Sequence, residues 1–349
     1  MNRSFYLLSI VMMVAFASCE RQPEITPVYP PLVTAKGGLF ILNEGNFQFG
    51  NASFDYYDFE SDKISENAFE SKNKRPLGDV LQSMCRYGNT GYLIVNNSQK
   101  IEVIDVNDLS SKATITGFKS PRYMVVANPQ KAYVSEYYNG GIKVVDISTN
   151  TISSTIPLAG NLDEMLMLGT SLYITNANGR FMYIVSTNTD QVTDSIDVGY
   201  GSNSLRLTSD NKLWVLCSGR KEPYLNGSLT KINRDADTVE KRFPLMRQSE
   251  HGPMKLRMNT QGTSLFWINR DVFKHGIFQE NVSATPWVAS VNNNFWGINY
   301  DSLTDEVYVS DAVDFVQKSF INRYDENGGL KGTFKSGIIT GDFYFYYRQ

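Results

Sequence analysis

The chain has 349 residues, of which 42% are apolar and 20% charged, with a formal net charge of −3. That balance leaves no basic footprint for phosphate backbones, which excludes nucleic acid as an expected partner. The 20 Tyr and 20 Phe favour half-buried pleated surface and point to an all-β fold.

The N-terminus reads as a processing signal. Arg3 supplies a positive start, and Phe5 to Phe16 form an apolar run too short to span a bilayer comfortably. Phe16-Ala17-Ser18-Cys19 resembles a bacterial lipobox, with Phe16 where Leu is usual. On this reading residues 1–18 are a lipoprotein signal peptide and Cys19 is the lipidated first residue. Acyl chains there would anchor the protein in the outer membrane, since burial contributes about 0.8 kcal/mol per CH₂. Residues 19–36 hold four prolines and no periodicity, and read as an extended tether. Glu20 and Glu24 near the anchor suggest exposure at the cell surface.

From residue 37 a phrase recurs: a small or apolar residue, an aromatic, then an apolar residue. The aromatics are Phe40, Tyr92, Tyr133, Tyr173, Trp214, Phe266 and Tyr308, spaced by 52, 41, 40, 41, 52 and 42 residues. A period of about 40 with four short strands per unit is the signature of a β-propeller. Within the fourth unit the strands after Leu172-Tyr173-Ile174 are Phe181 to Val185, Gln191 to Val198 and Ser204 to Leu207. Asp58, Asp105, Asp146 and Asp325 recur where tight turns follow a strand, and read as turn caps. Asn233-Arg234-Asp235-Ala236-Asp237 has some of the oxygen spacing of a calcium loop but lacks its glycine, and reads as another turn. Cys85 and Cys217 fall on separate units and are expected as buried free thiols.

The phase of the repeat decides how the ring closes. The first unit begins at its second strand, Leu39, and the chain ends on an unpaired candidate strand, Asp342 to Tyr347. That segment matches the innermost strands Leu81 to Arg86, Tyr123 to Ala127, Met165 to Leu168 and Met254 to Met258. The expectation is one domain, residues 37–349: a seven-bladed β-propeller closed by the C-terminal strand pairing into the first blade. Closure of this kind removes exposed sheet edges.

In such a blade, the loops entering the innermost strand and the loops joining the second and third strands share one rim. Here those loops are long and mix aromatics with polar groups, and the two 52-residue units place their extra length there. The candidate ligand-binding residues on this rim are Asn43, Glu44, Asn46, Phe47, Asn96, Glu136, Tyr137, Tyr138, Asn176, Arg220, Tyr224, Arg270, Asp311 and Asp314. The lead-ins to inner strands add Arg122, Asp163, Asn203 and Trp296.

Signals of catalysis are scarce. His251 and His275 are the only histidines, and neither sits in a metal-binding motif. No cysteines have zinc spacing, and there is no nucleophile elbow or phosphate loop. The expectation is a binding protein without a resident cofactor or metal, and with no assigned catalytic residue. Two other classes stay open: a propeller lyase or hydrolase using rim carboxylates, and a surface adhesion or scaffold protein.

The phrases Gly38-Leu39-Phe40-Ile41-Leu42-Asn43-Glu44-Gly45-Asn46, Lys100-Ile101-Glu102-Val103-Ile104-Asp105, Ser120-Pro121-Arg122-Tyr123-Met124 and Val307 to Asp314 resemble the YncE-like propeller lipoproteins of Bacteroides and relatives. The likeness runs across the mature chain. That group includes cobalamin-capture lipoproteins of the BtuG type. The resemblance therefore implies capture of a scarce nutrient, cobalamin first, and its transfer to a TonB-dependent, BtuB-like transporter in the outer membrane.

Overall fold

The computed structural model describes residues 36–348. The expected signal peptide, the lipidation candidate Cys19 and the expected tether up to residue 35 lie outside the described residues.

Central strands of the repeat are apolar almost throughout. Thr90–Val95 (TGYLIV) and Ser171–Asn176 (SLYITN) are each buried from their second residue onward. A strand covered on both faces reads as a continuous apolar run, whereas outer strands such as Gln191–Asp197 (QVTDSID) stay largely exposed. Sheets built this way bury their faces only against one another. Seven antiparallel sheets do so around one axis. Their innermost strands are Leu81–Tyr87, Pro121–Asn128, Leu162–Leu168, Ser202–Leu207, Met254–Met258, Phe295–Asp301 and Thr340–Arg348. Each packs beside the next, and the last returns to the first.

The expected closure is present. Thr340–Arg348 pairs with Lys36–Asn43 in the register Leu39 with Phe345, Phe40 with Tyr344 and Ile41 with Phe343. Ser53–Asp58 and Lys63–Ser65 complete that sheet, here blade one, and blades two to seven follow in chain order. The apolar core is divided into seven wedges, each shared by two adjacent blades. The recurring aromatics fill them: Tyr173 of blade four packs with Leu205 and Leu213 of blade five. The caps predicted at Asp58, Asp105, Asp146 and Asp325 form, each carboxylate accepting a backbone N–H two to four residues on. Both cysteines are free thiols: Cys217 on blade five is buried as expected, whereas Cys85 on blade two is half-buried rather than buried.

Three features depart from expectation. Blade six has three strands, Met254–Met258, Ser264–Asn269 and Asp271–Gly276. Its outer position carries only a single bridge, Val272 to Val288, because residues 278–294 run as irregular chain. A short helix, Ala68–Asn73, occupies the first long unit and buries Phe69 beneath it. Inner strands also start earlier than the sequence suggests: at Pro121, Leu162 and Ser202, where Tyr123, Met165 and Ser204 were expected. The cause is a bulge, which breaks the alternation a strand is recognised by.

Candidate functional site

Every inner strand slips register by one residue at the same end. In blade three, Pro121 and Met124 pair with Glu136 and Val134, three steps against two. Blades two, four, five, six and seven do the same between Leu81 and Ser83, Leu162 and Met165, Ser202 and Ser204, Met254 and Arg257, and Phe295 and Ile298. In blade one the extra residue is Gly341, between Thr340 and Asp342. A bulge frees one residue from the ladder and re-aims its side chain. The residue after the first paired position is then Gln82, Arg122, Asp163, Asn203, Lys255, Trp296 or Gly341. The first six of these line one axial cavity of about 240 Å³, together with Glu44, Tyr123, Tyr137, His251 and Arg257.

The charges in this well are paired. Arg122 donates through Nε to Asp163 Oδ1 at 2.9 Å, bonds Gln82 through Nη1, and lies 4.9 Å from the Tyr137 ring centroid. Arg257 donates to Asp342 Oδ2 at 2.9 Å. Arg206 meets Glu164 at 2.9 Å just outside the lining. Burial opposes the charge on Arg122 and Arg257, and Asp163 and Asp342 more than offset it, so both guanidiniums are held charged. Lys255 differs. Its Nζ donates to the Gly341 carbonyl at 2.7 Å and stands 3.7 Å from Glu44 Oε1, which instead accepts the Trp296 indole N–H at 2.9 Å. Burial lowers the Lys255 pKa against the opposing pull of Glu44 and Asp342. The lysine backbone also sits at φ 60°, a left-handed conformation that costs a non-glycine residue about 1–3 kcal/mol. Gly341 is fixed by crowding, since a Cβ there would stand 2.2 Å from Glu44 Oε1. His251 packs edge-on to Trp296 at 4.9 Å, and burial lowers its pKa.

Of the residues singled out from sequence, Glu44, Arg122, Tyr137, Asp163, Asn203 and Trp296 meet in this well. Asn43, Glu136, Asn176 and Asp311 sit at the ends of second strands and are buried. The last three accept backbone N–H groups from the chain entering the inner strand of their own blade, as Glu136 does from Lys119 and Ser120. Asn43 accepts the hydroxyls of Ser336 and Thr340 across the closure. These side chains hold the rim loops in place. Asn96 bonds Ser120 and Pro121, and Asn46 reaches the Phe315 carbonyl. Asp314 is tied to Val316 and Gln317 in its own loop, which holds its carboxyl down at about 2. Arg220 stacks 4.5 Å over Tyr200, and Arg270 pairs with Asp271. Phe47, Tyr138 and Tyr224 are exposed around the well. Gln82, Lys255, Arg257 and His251 were not singled out from the sequence. The first two were discoverable by carrying the lead-in position found at Arg122, Asp163, Asn203 and Trp296 into blades two and six.

The two rims differ in surface. Phe47, Phe49, Tyr138, Tyr224, Met246, Val291 and Val316 all stand exposed on the rim that opens to the well. The opposite rim shows Tyr87, Phe278, Leu303 and Leu330, with Val192 and Val239 at the starts of outer strands.

A family pattern described as a domain of unknown function, DUF5074, matches residues 37–347, the whole propeller. The chain belongs to the DUF5074 family. A curated relative of this DUF5074 chain is the seven-bladed β-propeller protein Rv1057 of Mycobacterium tuberculosis, 24% identical over 131 residues. That match covers 35% of this chain and 33% of the relative, so it spans about a third of each. Among solved structures, a quinonprotein alcohol dehydrogenase-like protein from Bacteroides thetaiotaomicron superposes with a TM-score of 0.68 at 14% identity, over 89% of this chain and 78% of that one. The hydrazine synthase of Kuenenia stuttgartiensis gives 0.58 at 12% identity, over 73% and 86%. At such identities the likeness establishes the propeller fold alone.

Proposed function

We propose that this DUF5074 chain is a surface lipoprotein that captures a scarce nutrient on the rim surrounding the axial well. Cobalamin is the leading candidate, and a TonB-dependent outer-membrane transporter is the recipient. One observation carries the reading. Six of the seven bulges turn charged, amide and indole groups into a single well, and most of the aromatic side chains left exposed stand on the same rim. A shaped polar floor inside an apolar collar suits a bulky ligand with many polar groups, because the collar supplies area and the floor supplies orientation. Cys19 would hold this rim's owner at the membrane where a transporter waits.

Calorimetry of cyanocobalamin against the mature protein tests it directly. The expected result is one site per chain, weakened by Tyr137→Ala and by Trp296→Ala with unchanged melting. No heat at micromolar protein sinks the cobalamin version. A second reading is favoured by Glu44 and Asp163 sharing one cavity: a propeller hydrolase or lyase acting through that pair. Turnover lost in both Glu44→Gln and Asp163→Asn would favour it over capture.

A further inference from the structure

The charges lining the well balance one another: Arg122 with Asp163, Arg257 with Asp342, and Lys255 beside Glu44. A full anion entering would meet Glu44 and Asp163 without a spare cation to compensate, and a cation would meet Lys255 and Arg122 equally unmatched. The hydrogen-bonding groups do not balance. A lysine ammonium has three donors, and among the described residues Lys255 Nζ makes one bond, to Gly341. Glu44 accepts only through Oε1 and Asp163 only through Oδ1, so each keeps an oxygen with no donor among the described residues. Spare donors therefore stand beside spare acceptors in a site of no net charge. Lys255 reaches it from a left-handed backbone conformation, and the space is about 240 Å³.

We infer that the well is a docking subsite for a neutral group carrying an acceptor and a donor side by side, a primary carboxamide of the ligand. Its carbonyl oxygen takes N–H bonds from Lys255, and its NH₂ donates to Glu44 Oε2 or Asp163 Oδ2. This rests on the capture reading and names the ligand group that the floor of the rim accepts.

The test uses nicotinamide and nicotinate, which differ in carrying a carboxamide or a carboxylate. The indole N–H of Trp296 is the reporter, since it bonds Glu44. Its resonance is assigned with Trp296→Phe. Nicotinamide should shift that resonance saturably in the full mature chain. Nicotinate should bind at least about ten-fold more weakly, and Lys255→Met should weaken nicotinamide by a similar factor, about 1.4 kcal/mol. Nicotinate binding as tightly as nicotinamide overturns the inference, as does an unchanged response in Lys255→Met or no saturable shift. The comparison of the two probes needs no variant, so a poorly folded Lys255→Met does not rescue the idea. Cyanocobalamin calorimetry on the same sample separates the claims. Nicotinamide binding without cobalamin heat leaves the subsite standing and removes the cobalamin reading, and the reverse pattern removes the subsite.

Discussion

Tyr133 in blade three donates its phenol hydroxyl to Asp190 in blade four at 2.5 Å, and Lys131 reaches the same carboxylate oxygen at 2.7 Å. Tyr173 makes the corresponding bond to Asp237 of blade five. In these two units the recurring tyrosine thus does two jobs. Its ring fills the wedge between blades, and its hydroxyl latches onto the turn of the next blade. Burial and the Asp190 bond both push the Tyr133 hydroxyl above its ordinary pKa, so it remains a donor at physiological pH.

Removing that hydroxyl should therefore loosen the seam without emptying the wedge. Tyr133→Phe is expected to cost about 1.5 kcal/mol, the low end for a hydrogen bond to a charged group, because Lys131 still holds Asp190. Urea denaturation at neutral pH measures it. A variant as stable as wild type would show that the latch contributes nothing.

His275 makes stability fall on mild acidification. It is fully buried between Trp214 and Phe243, and neither ring nitrogen has a hydrogen-bond partner among the described residues. Burial drops its pKa from 6.5 to about 4. Above pH 6.5 the imidazole is neutral folded or unfolded, and it contributes no pH dependence. Between 6.5 and about 4 only the unfolded chain takes up the proton, so the native state loses up to about 3 kcal/mol. His275→Leu removes that group, and the difference between wild type and variant should shrink as pH rises from 4 to 7. A constant difference across that range would contradict the assignment.

The repeat was legible because burial on both faces leaves a mark that a single sequence preserves: Leu172-Tyr173-Ile174 and its counterparts are apolar without alternation. The closing strand was legible from phase, since Asp342 to Tyr347 had no partner of its own. Blade six's missing outer strand was not, because its 42-residue spacing matched the 40 and 41 of the four-stranded blades two to four, and spacing does not distinguish a strand from irregular chain of equal length. The site was half legible. Arg122, Asp163, Asn203 and Trp296 stood at recognisable strand lead-ins, Arg122 beside Pro121 and Trp296 beside Phe295, whereas Gln82 and Lys255 are polar residues in otherwise ordinary strands. Glu136 and Asp311 looked like rim carboxylates, but the bonds that occupy them come mostly from backbone N–H groups, with Asn293 adding one to Asp311, and backbone donors leave no trace in side-chain chemistry.

Ring closure should depend on the last strand. A chain ending at residue 339 would leave the edge of Lys36–Asn43 open and deprive Arg257 of Asp342. Open edges recruit other chains. The truncated protein is expected to elute as aggregate and to lose its cooperative melt. A monodisperse monomer with an unchanged transition would refute the closure's importance.

Neither thiol should react while the fold is intact. Burial pushes Cys85 up to about 11 and Cys217 up to about 12, so little thiolate is present at pH 8. Iodoacetamide followed by mass spectrometry should find both unmodified in the native protein and both alkylated in urea. Rapid native labelling of Cys217 would place it in a looser environment than the one described.

The seven bulges also have a bearing on how such proteins diversify. Six of them turn a side chain out of the sheet, the seventh being Gly341, so the residue displayed is decoupled from the packing that builds the blade. Exchanging Gln82, Asn203 or Lys255 for another polar residue would change the groups the floor presents while the wedges behind it keep their shape. The six side chains read as letters written on a frame that does not depend on them, so they can be rewritten one at a time.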